Sequence, residues 1–375
     1  MSDRIYDFFR SANPASPCLV VDLDIIRENY QRFTSAMPDM KVYYAIKANP
    51  EHKILSVLAS EGSNFDCASV AEIEMALSAG EDAKRISFGN TIKKASDIAR
   101  AFDVGVRLFA TDSMADMVNI ARHAPGSDVF CRILTTGEGA EWPLSRKFGC
   151  DWQMAVDILC EAYAIGLNPR GVSFHVGSQM TVTSGWRSAL EEARLVFDAC
   201  AKEGVHLDLV NLGGGFPIRY LKDIPTTEAY GAAILADVDA VFPEKRPALI
   251  IEPGRGMVGN AGIIKSEVVM ASFKSASDHL RWVFLDIGKF GGLAETMDEA
   301  IRYPIRTSRD GEGAILSVLA GPTCDSADVL YEKTPYALPP VDSGDFVFIE
   351  GTGAYTTTYS AVAFNGFQPL KSYVI

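Results

Sequence analysis

Paired cysteines, a basic surface and long apolar runs are all missing from this 375-residue chain. Its seven cysteines are an odd number, and Cys18, Cys67, Cys131, Cys150, Cys160, Cys200 and Cys324 include no CxxC pair. A disulfide framework, a cysteine-based zinc site and any other metal centre are therefore not expected, and a reducing, cytoplasmic compartment is. Five of the seven lie among apolar or small residues and read as inert core thiols, whereas Cys67 and Cys324 sit beside charged residues. Lysine and arginine total 35 against 48 acidic residues, a net charge of −13. That balance repels phosphate backbones and argues against nucleic-acid binding. No stretch approaches the ~20 apolar residues of a membrane span. The opening "MSDRIYDFFRSANPASP" lacks the apolar core of a secretion signal.

What is present is an ordinary globular composition, 48% apolar and 22% charged, with length for about two domains. From about residue 40 to 255 one rhythm repeats: a short apolar run, a turn, then a stretch with helical spacing. The runs are "KVYYAIK", "SNFDCA", "RISFG", "VRLFAT", "DVFCRIL", "RGVSFHVG", "LDLVNLGGG" and "RPALIIEPG". Strict alternation implies parallel strands joined by right-handed crossovers, and eight units favour a closed (β/α)8 TIM barrel over an open doubly wound sheet. After residue 260 the runs are short, β-type and broken by Gly, Pro and Asp, which reads as a β-sandwich or β-barrel domain. The strand-like "CLVVDLD" before the barrel is expected to pair into that C-terminal β domain. The fold class is thus α/β with a C-terminal β domain. The barrel is expected over 25–260, and the β domain over 1–24 and 261–375.

Barrel chemistry sits at the C-terminal ends of the strands. Six runs end in unusual residues: Lys47, Asp66, Arg132, His175, the triplet Gly213, Gly214, Gly215, and Glu252. Each alone is more often a solvated or ion-paired rim residue, but together they suggest a site. The glycines expose backbone N–H groups as a phosphate needs, and Gly254 and Gly256 flank Arg255, a planar donor for phosphate oxygens. "GRGMVG" also matches GxGxxG, but the β-type segment after it excludes a dinucleotide fingerprint. A lysine, a phosphate cradle, a carboxylate and an imidazole around one mouth suit pyridoxal 5′-phosphate. Lys47 is then the Schiff-base lysine, Glu252 the partner of the pyridinium nitrogen, and His175 a residue stacked on the ring.

"YYAIKANP", "FDCAS", "FHVGSQ", "GGGFP", "EPGR", "GPTCDSAD" and "GAYT" stand in the order found in fold-type III pyridoxal-phosphate decarboxylases. The chain resembles that family, in particular its ornithine and bacterial lysine/ornithine members, from about residue 18 to 368. The resemblance implies an alanine-racemase-like barrel, a β domain and a homodimer with two shared active sites. By motif, Asp66 and Glu72 lie beside the cofactor, and Arg132 and His175 flank its ring. Ser178, Gly213, Gly214, Gly215, Gly254, Arg255 and Tyr355 resemble the phosphate contacts. Cys324 and Asp325 resemble residues that the partner subunit lends, Cys324 as general acid, and Phe364 resembles an aromatic on the substrate side. The implied reaction is decarboxylation of a basic L-amino acid, ornithine or lysine, giving putrescine or cadaverine.

Asp325 suits a distal ammonium through a charge-assisted hydrogen bond. Meso-diaminopimelate and carboxynorspermidine decarboxylases are the competitors, with arginine also open as a substrate. The segment "LDIGKFGGLAETMDEA" departs from the eukaryotic pattern, placing Ile287 where those enzymes have an aspartate, so that Asp286 or Glu295 is expected to read the distal amine. A non-catalytic regulator on the same fold would lack the lysine, the glycines or the cysteine, and all are present. An amino-acid racemase would need a weaker electron sink than Glu252 provides.

Overall fold

The eight short apolar runs form eight parallel strands, and these close on themselves. In the computed structural model, which describes residues 3–135, 140–142 and 147–375, the chain divides into two compact units. The larger comprises Arg27–Pro217 and Ile224–Met257. Its strands are Met40–Ala45, Asn64–Cys67, Ile86–Phe88, Leu108–Thr111, Asp128–Arg132, Asn168–Ser173, Leu209–Asn211 and Ala248–Ile251. Each pairs in parallel with the next, and the last pairs with the first. Tyr43, Ala110, Phe130, Leu209 and Ile250 form one buried cluster of barrel-strand side chains, the packed interior that such barrels require.

The helices between the strands start on local signals. Ser69, Ser113, Asp151 and Thr226 each accept the N–H of the residue three positions on, a bond whose loss costs about 1 kcal/mol. Glu72, in the first turn after Ser69, returns a bond to the N–H of Ala68 at 2.6 Å, so the pair approximates a capping box. The sequence reading runs the first strand on to Lys47. The strand stops at Ala45 instead, and Ile46–Ala48 forms a 3₁₀ turn that carries Lys47.

The smaller unit comprises residues 1–26, 218–223 and 258–375. It holds an eight-stranded mixed sheet. The long strand Gly262–Phe273 pairs with Phe346–Glu350 along its first half and with Arg281–Leu285 along its second, with a register shift between Val268 and Met270. Cys18–Val21 joins this sheet antiparallel to Gly262–Lys265 and parallel to Lys371–Val374. A helix at Asp3–Ala12, which the sequence reading did not single out, buries Ile5 and Phe9 against Cys18, Val20 and Ile263. Among the described residues no helix is long and apolar enough to cross a membrane.

Candidate active site

The barrel strands are short: Lys47, His175 and Glu252 fall just beyond their ends, and Asp66 and Arg132 within their last two residues. Lys47 Nζ lies 3.5 Å from Asp66 Oδ2, at the end of the neighbouring strand. Asp66 is buried and also accepts from Ser87 Oγ at 3.2 Å. Across the barrel, Glu252 follows Ala248–Ile251 and accepts a bond from Asn211 Nδ2. Asn211 Oδ1 in turn receives the N–H of Gly213 at 3.0 Å, so one asparagine orients both the carboxylate and the glycine turn. Burial, then the negative charge of Asp66, pushes the Glu252 carboxyl up to about 7. A carboxylate so deprived of water is stabilised by a cationic hydrogen-bond donor beside it.

The glycine turn is required by its surroundings. Gly213 has φ +68, and a Cβ there would sit 2.0 Å from the carbonyl oxygen of Phe174. Gly215 has φ +98 and would meet the carbonyl of Gly177 at 2.5 Å. The backbone therefore approaches its neighbours more closely than a side chain permits. Arg255, three per cent exposed, donates to Ser178 Oγ at 3.1 Å. It opens a single helical turn, Arg255–Val258, which is followed by strand and not by a long helix. The GxGxxG match is therefore not a dinucleotide fingerprint.

His175 lies two residues past its strand. Its Nδ1 accepts the N–H of Gly177 at 3.0 Å, which leaves the proton on Nε2. Burial, then Arg132 and Lys47, lowers its pKa to about 3, so the ring is neutral at working pH. Burial also lowers Arg132, which lies 5.4 Å from the Phe148 ring centroid. An amine, a buried carboxylate, a neutral imidazole and a glycine turn beside a serine–arginine pair fit a phosphorylated aromatic aldehyde with a basic ring nitrogen. Asn211 was missed by sequence reading, because an asparagine inside a strand carries no motif.

The remaining candidates belong to the smaller unit, which has its own cavity of about 240 Å³. Asp286 and Phe364 line it, with Ile287, Phe290, Phe367 and Lys371, whereas Asp325 and Glu295 are not among its walls. Asp286 Oδ1 accepts from Ser266 Oγ at 2.6 Å and from the N–H of Glu267 at 3.0 Å. Glu295 is buried in the turn Ala294–Glu299. Asp325 accepts the N–H of Ala327 and so shapes its own loop. Tyr355 has a left-handed backbone, φ +57.

The two cysteines set apart by their charged neighbours diverge. Burial raises the Cys67 thiol well above its ordinary value and leaves it inert, while Cys324 is exposed. Sequence reading also missed Asp328, four residues beyond Cys324. Its buried carboxylate accepts from the N–H of Lys289, and from both the N–H and the hydroxyl of Thr323. A Cβ on Gly288 or Gly321 would lie 2.1 or 2.3 Å from that carboxylate, so both glycines make room for it. Among the described residues no cluster of three His, Cys, Asp or Glu could hold a metal ion.

Residues 23–259 match the family described as pyridoxal-dependent decarboxylase, pyridoxal binding domain. A lysine/ornithine decarboxylase of Selenomonas ruminantium is 36% identical over 353 residues, 94% of this chain and 88% of that protein. The crystal structure of a lysine/ornithine decarboxylase complexed with cadaverine from Vibrio vulnificus superposes with a TM-score of 0.89 at 29% identity, covering 100% of this chain and 99% of that one. An arginine decarboxylase from Paramecium bursaria Chlorella virus, bound to agmatine, gives a TM-score of 0.91 at 26% identity and covers 100% of both chains.

Proposed function

Because the chain belongs to the pyridoxal-dependent decarboxylase family, we propose that it removes CO2 from L-ornithine or L-lysine, giving putrescine or cadaverine. The cofactor is pyridoxal 5′-phosphate, which when bound supplies a sink for the electron pair left at Cα as CO2 departs. Lys47 offers the amine that holds it. Glu252, oriented by Asn211, holds a proton at its ring nitrogen. The neutral His175 ring would stack against the cofactor, with Arg132 alongside. Ser178, Arg255 and the Gly213–Gly215 turn take its phosphate, with Gly254 beside them. Cys324 delivers a proton to Cα, and the exposure of this thiol supports the role.

The observation that carries the substrate reading is Asp286 in a cavity walled by Phe290, Phe364 and Phe367. A carboxylate among aromatic faces suits a terminal ammonium, through a charge-assisted hydrogen bond and cation–π attraction. It favours Asp286 over Glu295 as the reader of the distal amine. The chain acts as a homodimer in which the smaller unit of one protomer lends Cys324 and Asp325 to the barrel of the other. Mixing inactive Lys47→Ala and Cys324→Ala proteins should then restore about a quarter of wild-type activity on random exchange. No recovery after proven exchange would count against the shared site.

A second reading has its own support. Lys371 lines the same cavity as Asp286, and an ammonium–carboxylate pair suits a distal zwitterion such as that of meso-diaminopimelate. Release of CO2 measured across lysine, ornithine, arginine and meso-diaminopimelate separates the two. Preference for lysine or ornithine, with KM raised on Asp286→Ala, supports the first. Preference for meso-diaminopimelate, lost on Lys371→Ala, establishes the second in its place.

A further inference from the structure

We propose that Asn365 is a positioning residue that holds and aims the thiol hydrogen of Cys324. The inference rests on the reading of Cys324 as the proton donor. The N–H of Cys324 donates to Asn365 Oδ1 at 3.2 Å, and its thiol points to the same oxygen at 3.5 Å. One acceptor taking two donors from one residue fixes that residue at two points. The backbone is anchored, and the side chain is confined to the rotamer that turns sulfur toward the amide.

Asn365 reaches this place through a strained loop. Its φ is +51, which asparagine tolerates, and Ala363 has φ +53, which alanine rarely adopts. Strain of that kind persists where the surroundings over-determine the conformation. Here they do so in a closed circuit. The N–H of Ala361 donates to the carbonyl of Phe290 at 2.9 Å, and the rings of Phe290 and Phe364 lie 4.9 Å apart. Asp328 ties Lys289, next to Phe290, to Thr323, next to Cys324. The Cys324–Asn365 bonds close the third side.

During turnover the S–H bond breaks and a C–H bond forms at Cα. The resulting thiolate regains its proton from water after the amine leaves. An acceptor on the thiol keeps that hydrogen in place until the carbon needs it.

Asn365→Gly removes the amide and keeps the left-handed backbone accessible, whereas Asn365→Asp keeps an acceptor. The first readout is the rate at which iodoacetamide alkylates Cys324 in the holoprotein, mapped by mass spectrometry. Five of the other cysteines are buried and Cys160 is half-buried. Loss of one hydrogen bond, about 1 kcal/mol, should speed alkylation roughly five-fold in Asn365→Gly and leave Asn365→Asp within about two-fold. The second readout is the ratio of amine formed to CO2 released. It should fall below one in Asn365→Gly, as in Cys324→Ala, because an unaimed donor lets the proton go to an atom other than Cα, after which water releases the fragment as an aldehyde and its nitrogen stays with the cofactor. Wild-type alkylation and ratio in Asn365→Gly would overturn the inference. If Cys324→Ala itself kept a ratio of one, the proton-donor reading would fall first.

Discussion

The barrel and the smaller unit organise their candidate residues in different ways. In the barrel, position comes mainly from the main chain: a strand closes, and Lys47, Asp66, His175 or Glu252 stands at the rim, with the Asn211 side chain the exception that orients Glu252. In the smaller unit, position comes from side chains that bind main chain far along the sequence, as Asp328 does with Lys289 and Asn365 with Cys324. A rim built on a closed ladder changes little when one side chain is lost, so a barrel substitution should show its effect in chemistry. A loop circuit built on single side chains should lose geometry and chemistry together.

The largest effect expected is that of Lys47→Ala. It should lower activity by about 10⁴-fold with the urea midpoint nearly unchanged. Borohydride should then fix no cofactor to the protein, as read by mass spectrometry. A persisting covalent adduct would show that another amine holds the cofactor.

Next is an exception inside the barrel that would break the contrast. The Lys93 side chain is fully buried and binds Asp116 at 2.8 Å, as well as the carbonyls of Asn90 and Ala110. Lys93→Ala strands a buried carboxylate and should cost ~4 kcal/mol in urea unfolding, whereas Lys93→Met with Asp116→Leu should cost far less. A small loss in the single variant would mean that the carboxylate neutralises itself.

Glu252 tests the rim through pH. Its folded value, about 7, exceeds its ordinary 4.5, so folding binds its proton more tightly. The stability this gives is fully present below about 4.5 and is lost as pH rises through 7, a change of roughly 3 kcal/mol in cofactor-free protein. His175, lowered to about 3, works in the opposite sense, its contribution being lost as pH falls below its ordinary value. The check is therefore the difference between wild type and Glu252→Gln, which should grow from pH 4.5 to 7 in favour of the variant. In activity, the same variant should lose about 10²-fold.

The same contrast decides what could be read beforehand. Parallel strands buried on both faces leave apolar runs that end in turns, so the eight strands and the rim residues were visible as a rhythm. Lys47 was misplaced only in detail, since its 3₁₀ turn looks like strand continuation in "YYAIK". Asn211 and Asp328 were invisible because their roles depend on partners 41 and 39 residues away. Asn365, 41 residues from Cys324, was hidden for the same reason. No local spacing records such a pairing. Asp286 and Glu295 were indistinguishable in one dimension, and only the cavity wall separates them.

The smallest expected effect bears on that hidden class. Asp328→Asn keeps the shape and one acceptor oxygen but places an NH2 group where Asp328 now accepts. Facing Lys289 N–H, that group loses one bond; facing Thr323, it meets both an N–H and a hydroxyl. The amide should settle toward Lys289, where one donor is lost instead of two, at a cost of about 1.5 kcal/mol. Thr323 then stays tethered while the Gly288–Lys289 turn loosens, so Asp286 and Ile287 in the cavity should shift more than Cys324. KM for the amino acid should rise about three-fold, and alkylation of Cys324 should change by less than about two-fold. If alkylation rose as much as KM, the loop circuit would respond as one body, and the smaller unit would resemble the barrel more than its bonding suggests.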